Sequence, residues 1–400
     1  MSTNILETID PRQLGDSLQK ARKKCGLTQA EAAQVIDAAR TTLVAIEKGS
    51  RRIKPSELVK LARAYGRSIS DFARADNVAA ATEPFEVQFR AAYQRKPEEE
   101  AKIAPVIEKF EELCQNYLEL EQIMNAPMPR NYPAEYDISH MPIEAVAEST
   151  ALAERQRLGL GDGPISSLRD ILEINVGIRI FYIKLPGKYS EIYSYSEQLG
   201  GCMAINVDHP EERRRWSMAH GYLHFLAHRR KSVIDFDGQY QRMPVSEQLA
   251  ETFPKYFLMP TSSLLKLFGD LSRHDKKFTT SNLFTLAHYY GVSVQALTHR
   301  LEGMKLVPSG LWERLKDRGL KVKQVQQQLE LQEIKQRADS FPVHYQHLAI
   351  GALDEGLITE GRFADLLKVD RLDARRIALE LREQSGEVSR EMAQMDLQQA

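Results

Sequence analysis

Cysteine is scarce in this chain: three in 400 residues, Cys25, Cys114 and Cys202, odd in number and far apart. They supply neither a disulfide framework nor a paired-cysteine metal knuckle, which fits a reducing cytosol. No stretch approaches the roughly 18 consecutive apolar residues of a membrane span, and the first residues lack the pattern of a secretion signal. The expectation is a cytoplasmic protein with no membrane partner. Net charge is nearly absent too, −1 overall, with 42% hydrophobic and 27% charged residues. That balance excludes a disordered acidic or basic tail protein and predicts a globular chain with a substantial core. Four hundred residues exceed one ordinary domain, so two or three are expected.

The small net charge conceals an uneven distribution. Residues 1–75 carry 14 Lys/Arg against 8 Asp/Glu, a net of +6, which leaves the remainder at −7. A basic first domain on an acidic body predicts that nucleic acid meets only one end. From Pro11 the pattern reads as short helices. Leu14, Leu18 and Ala21 share a face of the first, which ends near Lys24-Cys25-Gly26. Thr28 with Glu31 three residues on is a capping box for the second, with Ala32, Val35 and Ile36 on its buried face. After a turn at Asp37-Ala38, a third helix runs from Arg40 to Lys48 and stops at Gly49. Two more are expected, around Ser56–Tyr65 and from Ser70 to about Arg74.

Leu27-Thr28-Gln29, Ala32-Ala33, Ile46-Glu47-Lys48-Gly49 and Leu58–Leu61–Ala62 together resemble a Cro/cI-type (XRE family) helix-turn-helix. The chain departs from that pattern at Asp37-Ala38, where the family usually has glycine and a small apolar residue. The resemblance implies that the helix beginning at Arg40 is the recognition helix, with Arg40, Thr41, Thr42 and Ala45 facing the groove. It places Gln29 on a phosphate at the start of the preceding helix. Arg51, Arg52 and Lys54, just beyond, read as phosphate contacts that confer affinity without sequence information. Arg40 has the fork to bond guanine bidentately, worth roughly 1–3 kcal/mol of discrimination. Domains of this kind bind as dimers to half-sites on double-stranded DNA, so a homodimer on an operator is expected. The competing reading is a small helical bundle that binds protein.

Small and polar residues from Asn77 to Pro84 mark a boundary. From Pro97 the apolar positions Ile103, Ile107, Phe110, Cys114, Tyr117, Leu120 and Met124 recur at three- and four-residue steps, an amphipathic helix of roughly seven turns. Its stripe packs either on its own body or as a dimer seam. Pro127, Pro129 and Pro133 end it. Helices are then expected over Ile143–Leu158 and Ile165–Ile174, and strands over Val176–Ile183, Tyr189–Tyr195 and Gly201–Asn206. These lead into a helix from Arg213 to Arg230.

That helix holds His220, His224 and His228, one every four residues and so in a stripe along one face. His220 and His224 have the spacing by which a zinc-peptidase helix grips its metal. Two such histidines are by themselves more often structural than ligating. The strand ending at Asn206, the Arg215-Trp216 pair, the histidine helix, Glu247-Gln248-Leu249-Ala250 and Leu258-Met259-Pro260 resemble, in that order, the ImmA/IrrE family of zinc peptidase-like domains. The resemblance implies zinc held by His220, His224 and Glu247. It puts the general-base glutamate at position 221, which is Gly221. Pro254, inside the expected glutamate helix, is a second departure.

A positioned base contributes roughly 10²–10⁴-fold to proton transfer, so its loss predicts a crippled hydrolase and no assigned catalytic residue. Glu251, one turn after Glu247, is the stand-in base or further ligand to consider; Tyr222 points away from His220. The missing side chain at 221 would open room for a small ligand. Downstream, Phe284–Tyr290, Gly291 and Ser293 read as helix, stop and new cap, and Lys321–Arg337 as a polar linker or solvated helix. The unit Leu348–Leu381, with Thr359 as a cap, is helix-turn-helix-like.

The expected fold is mainly α. It comprises a five-helix domain over 1–75, a linker and long helix over 76–142, an α+β zincin-like domain with a small sheet over 143–270, and a helical region over 271–400. The expected function is a DNA-binding regulator whose degenerate peptidase-like body senses a metal, a small-molecule effector or a protein partner. Two alternatives stand beside it. One is a residually active metallopeptidase cleaving a repressor; the other is an antitoxin or mobile-element regulator acting through a protein partner.

Overall fold

Thr28 opens the second helix as its spacing predicts: its side chain accepts from the Glu31 amide, and Glu31 accepts from the Thr28 amide at 2.8 Å. The computed structural model describes residues 10–65 and 72, 97–138, 142–236, 243–331 and 340–394. The chain divides into two units, Met1–Thr82 and Glu83–Ala400. In the first, α1 (Pro11–Lys24), α2 (Gln29–Val35), α3 (Arg40–Glu47) and α4 (Pro55–Ala64) enclose a core of Leu18, Ala32, Ala33, Leu43, Ile46 and Leu61. The fifth expected helix, Ser70 to Arg74, lies outside the described residues except for buried Phe72.

At the turn between α2 and α3, Asp37 takes the place where the resembled family has glycine. It adopts the left-handed φ of +53°, a region that aspartate enters more readily than most residues. Its carboxylate pairs with Lys60 at 2.6 Å. Gly49, at φ +68°, ends α3 where a Cβ would lie 2.6 Å from the Arg12 backbone. There only glycine lets α1 come so close.

A buried polar knot holds the three helices. The Glu47 carboxylate accepts from Arg22 at 2.5 and 3.1 Å and from Gln29 at 2.9 Å, and Arg22 also donates to the Leu27 carbonyl. Burial raises the Glu47 pKa, but the bonds from Arg22 and Gln29 outweigh it and hold the carboxyl below its ordinary value. A depressed folded-state pKa contributes stability that is present above the unfolded value of about 4.3 and lost as pH falls through the folded one. Melting followed by circular dichroism should therefore show this contribution intact at neutral pH and lost only below about pH 4. Glu47→Ala, which strands the Arg22 charge in the core, should destabilise the N-terminal unit by about 3–5 kcal/mol in denaturant titration at pH 7.

The second unit begins with α5 (Pro97–Ile123). Its stripe of Ile103, Ile107, Phe110, Cys114, Tyr117 and Leu120 is buried within the unit, so of the two packing alternatives the helix takes its own body. Arg179 Nη2 donates to both Glu121 carboxylate oxygens, at 2.6 and 2.7 Å, with both side chains buried, and ties α5 to the sheet. At the far side, Arg362 reaches Asn116 and Glu119.

α6 (Ile143–Arg157) follows as expected. The helix expected over Ile165–Ile174 is instead a single turn, α7 (Leu168–Asp170), that widens into a π-helix over Ile171–Val176. The amides of Gly177 and Ile178 bond back to Leu172. Those residues therefore belong to the helix end, and the strand expected from Val176 starts only at Arg179. The sheet consists of β1 (Arg179–Ile183), β2 (Tyr189–Ser196), β3 (Gly200–Asn206) and β4 (Val233–Phe236), in the order β1-β3-β2-β4. β1 runs parallel to β3, and β2 antiparallel to both β3 and β4. β4 is too short for alternation to announce it. Between β3 and β4 lies α8 (Glu211–Ala227), and after β4 comes α9 (Val245–Phe257). Pro254 does not break α9, which continues for three residues beyond it with Pro254 buried.

The rest of the described chain is helical: α10 (Thr261–His274), α11 (Thr280–Tyr290), α12 (Val294–Gly303), α13 (Leu311–Asp317), α14 (Val322–Gln328), α15 (Val343–Asp354), α16 (Glu360–Leu367) and α17 (Arg371–Gln394). Gly291 stops α11 in the left-handed conformation, and Ser293 and Thr359 cap the helices after them. The polar segment expected over Lys321–Arg337 is helical only across α14; residues 332–339 lie outside the described ones. Among the described residues no helix is long and apolar enough to cross a membrane.

Candidate metal centre and nucleic-acid face

α8 is buried on nearly every side from Arg214 to Leu226. A helix enclosed in this way must be packed between other elements, and β2, β3 and α9 flank it. Arg215 fixes it near its start by donating to the Ile165, Ser166 and Gly291 carbonyls. Tyr222 faces α6, its hydroxyl donating to Glu154 at 2.5 Å and accepting from Arg157 at 3.0 Å. It is thus excluded as a stand-in base by direction.

One turn apart on the other face, the rings of His220 and His224 lie 4.9 Å from centroid to centroid. Glu247, from the first turn of α9, meets both: its Oε2 is 3.7 Å from His220 Nε2 and 3.3 Å from His224 Nε2. One ligand atom from each of the three residues lies within 4.8 Å of the others, and all three are buried. Donors on one tetrahedral zinc, at 2.0–2.1 Å from it, stand about 3.3 Å apart.

The hydrogen-bond inventory points the same way. His220 Nε2, both ring nitrogens of His224 and Glu247 Oε1 are buried with no hydrogen-bond partner. Buried polar atoms left unpaired are costly, and a divalent cation would take one ligand atom from each of the three residues. The donor set of two imidazoles and one carboxylate fits zinc. His220, His224 and Glu247 would hold it, and the ion would act there as a Lewis acid on a bound ligand. His228, at the C-cap of α8, is not in the group.

Electrostatics separate the roles. Burial pulls His224 down to about 4, so its imidazole is neutral. Burial would raise Glu247, but the two histidines override it and bring the carboxyl to about 2. Burial opposes charge on His220 as well, and only the adjacent Glu191 carboxylate reverses this, raising His220 to about 10. Glu191 itself is lifted by burial to about 7.

Glu191 is the residue that sequence reasoning missed. It comes from β2, is 1% exposed, and its Oε1 lies 2.7 Å from His220 Nδ1. The available signal was a lone charged residue in a strand otherwise made of tyrosine, isoleucine and serine. Glu191 also corrects the expectation of an open floor: a Cβ at Gly221 would stand 3.0 Å from Glu191 Oε1 and 3.3 Å from Oε2. This carboxylate stands against the backbone that glycine leaves bare. Glu251, partly exposed on α9, groups instead with Asp235 of β4 around the same His220.

On the first unit, Arg40 and Thr41 are exposed at the start of α3, and Thr42 and Ala45 are half-buried. The α3 N-terminus has no side-chain cap. Gln29 is tied inward: its amide nitrogen donates to Glu47, and its oxygen accepts from Arg40 at 3.4 Å. Arg51 is engaged too, with two nitrogens on Glu57 at 2.9 and 3.0 Å, while Arg52 and Lys54 are exposed. Gln29 and Arg51 are thus bonded within the domain, whereas Arg40, Arg52 and Lys54 are exposed.

The metal centre makes a direct prediction. The chain should take up one zinc or cobalt ion, and His220→Ala or Glu247→Ala should abolish stoichiometric uptake, measured by elemental analysis after dialysis.

Comparison with known proteins gives matches in both units. Residues 18–72 match the family described as helix-turn-helix, and residues 175–302 match the IrrE N-terminal-like domain of the M78 peptidases. No curated protein matches the chain. Among solved structures, the crystal structure of Bacillus thuringiensis PlcR in complex with the peptide PapR7 and DNA aligns over 96% of this chain and 98% of that one. The identity is 11% and the TM-score 0.17, too distant to bear on the argument. The chain joins a region matching a helix-turn-helix domain to one matching an IrrE N-terminal-like domain, and the second match contains His220, His224 and Glu247, which the structure brings together, with glycine at position 221.

Proposed function

We infer that the chain is a sequence-specific, DNA-binding transcriptional regulator whose peptidase-like body binds a metal and reports on a signal. The observation that carries this reading is the state of position 221. The ligand triad is assembled, yet the place of the base is taken by a carboxylate bonded to the Nδ1 edge of His220, away from Glu247. A site that keeps its ligands and loses its proton acceptor is suited to holding a metal more than to cutting a peptide. In the first unit, the exposed start of α3 supports base reading by Arg40 and Thr41, with Thr42 and Ala45 beside them, and Arg52 and Lys54 on phosphates. Gln29 and Arg51, held within the domain, serve to position their neighbours.

The body has room for an effector away from the metal. A cavity of about 660 Å³ lined by Leu113, Ile183, Phe341 and Leu367, with Lys109 and Lys184 among its walls, shares no residue with the metal triad. Binding as a cytoplasmic homodimer completes the reading, since a single helix-turn-helix domain covers one half-site. The peptidase alternative rests on Glu251, the one further glutamate of α9 beside His220. Hydrolysis of a peptide substrate that disappears in Glu251→Gln would establish it in place of the regulator reading.

DNA binding is tested by measuring affinity for the chain's own promoter against random DNA over a range of salt. Arg40→Ala should cost about 1–3 kcal/mol and relax discrimination at one position, whereas Lys54→Ala should weaken all sequences alike and reduce the salt slope by about one. Equal affinity for promoter and random DNA would refute the reading.

A further inference from the structure

The geometry points to Glu191 and Gly221 as a compensated pair: Glu191, delivered by β2, has moved into the space that glycine leaves on α8 and orients His220 for metal. This assignment rests on the metal-binding reading above and names how the centre is kept in order without the family's glutamate.

Three observations carry it. Glu191 Oε1 is 2.7 Å from His220 Nδ1, within a pair of side chains 1% and 3% exposed. That contact fixes which edge of the ring is engaged, leaving Nε2, which has no hydrogen-bond partner, on the side of Glu247. Carboxylates that accept from the non-ligating nitrogen of a metal-binding histidine set its tautomer and orientation, and their loss costs roughly 10–100-fold in affinity. Second, the bare backbone at residue 221 lets the carboxylate stand this close, since a Cβ would approach to 3.0 Å and Glu191 would have to shift to admit it. Third, Glu191 is fixed both at its carboxylate and at its backbone. It is held by the His220 bond and lies in the sheet between Ser190 and Ile192, paired with Ile205 on one side and Asp235 on the other.

Glu191 is on this account a positioning residue, and Gly221 is the residue that admits it. A glutamate restored at 221 alone would place two carboxylates in one space. The helix tolerates a glycine that intrinsic propensity disfavours by about 1 kcal/mol because the vacancy is used.

The test is a double-mutant cycle of Glu191→Ala, Gly221→Ala and the pair, read in two ways. In cobalt affinity by chelator competition, Glu191→Ala should weaken binding about 10–100-fold and Gly221→Ala by less. The double variant should bind no more weakly than Glu191→Ala alone, and Glu191→Gln, whose amide oxygen accepts the same bond, should recover most of the loss. In the melting temperature of the chelated protein, alanine for helical glycine ordinarily stabilises. Gly221→Ala should instead lower Tm in the native background and raise it once Glu191 is alanine. Effects that simply add, or a Tm raised by Gly221→Ala in both backgrounds, would overturn the pairing. Native protein that takes up no cobalt while the Tm reversal holds would refute the metal reading and leave the pairing intact.

Discussion

A carboxylate and an imidazole, 2.7 Å apart and shut away from water, set the terms for the larger unit. Neither group is stable there alone: burial disfavours charge on both Glu191 and His220. Their pairing makes a polar pocket tolerable in the middle of an apolar helix. The demand for burial then dictates the surroundings, with β2 and β3 on one side of α8 and α9 on the other. Burial leaves His224 neutral, while the neighbouring histidines, against burial, keep Glu247 anionic; for these two residues those are the protonation states a cation requires.

Rigid anchors keep this arrangement in place at some distance. Arg215 ties the start of α8 to three backbone carbonyls, and Arg155 bonds the carbonyls of Gly161, Gly163 and Phe257, gathering α6, its following loop and the end of α9. Arg179 joins the long helix to the sheet through Glu121. In each case a buried guanidinium makes several hydrogen bonds, which offset the cost of burying its charge. The N-terminal unit repeats the device in miniature with Arg22 and Glu47. There Gln29 and Arg51 bond to carboxylates of their own domain, Glu47 and Glu57.

Much of this was legible before any coordinates. The capping box at Thr28, the stripe from Ile103 to Leu120, the Gly291 stop and the Ser293 cap are local patterns, and each appears where spacing put it. The expectations missed in two places, one where a helix end widens and one where a short strand depends on a distant partner. Ile171–Val176 widens to a π-helix and delays β1, because amides 177 and 178 bond back to Leu172. β4 is too short to display a period, and it exists because β2 offers an edge.

The metal centre divides along the same line. Histidine spacing and the order of motifs determined by themselves which helix would carry the ligands, because i and i+4 on a helix share a face wherever that helix lies. Sequence also showed that position 221 has no base. What stands there instead was decided by tertiary structure alone. Glu191 lies 30 residues before Gly221 on another element, and only the packing of β2 against α8 brings its carboxylate over the glycine. Periodicity records which face a residue occupies within its own element; it holds no record of what another element brings to that face.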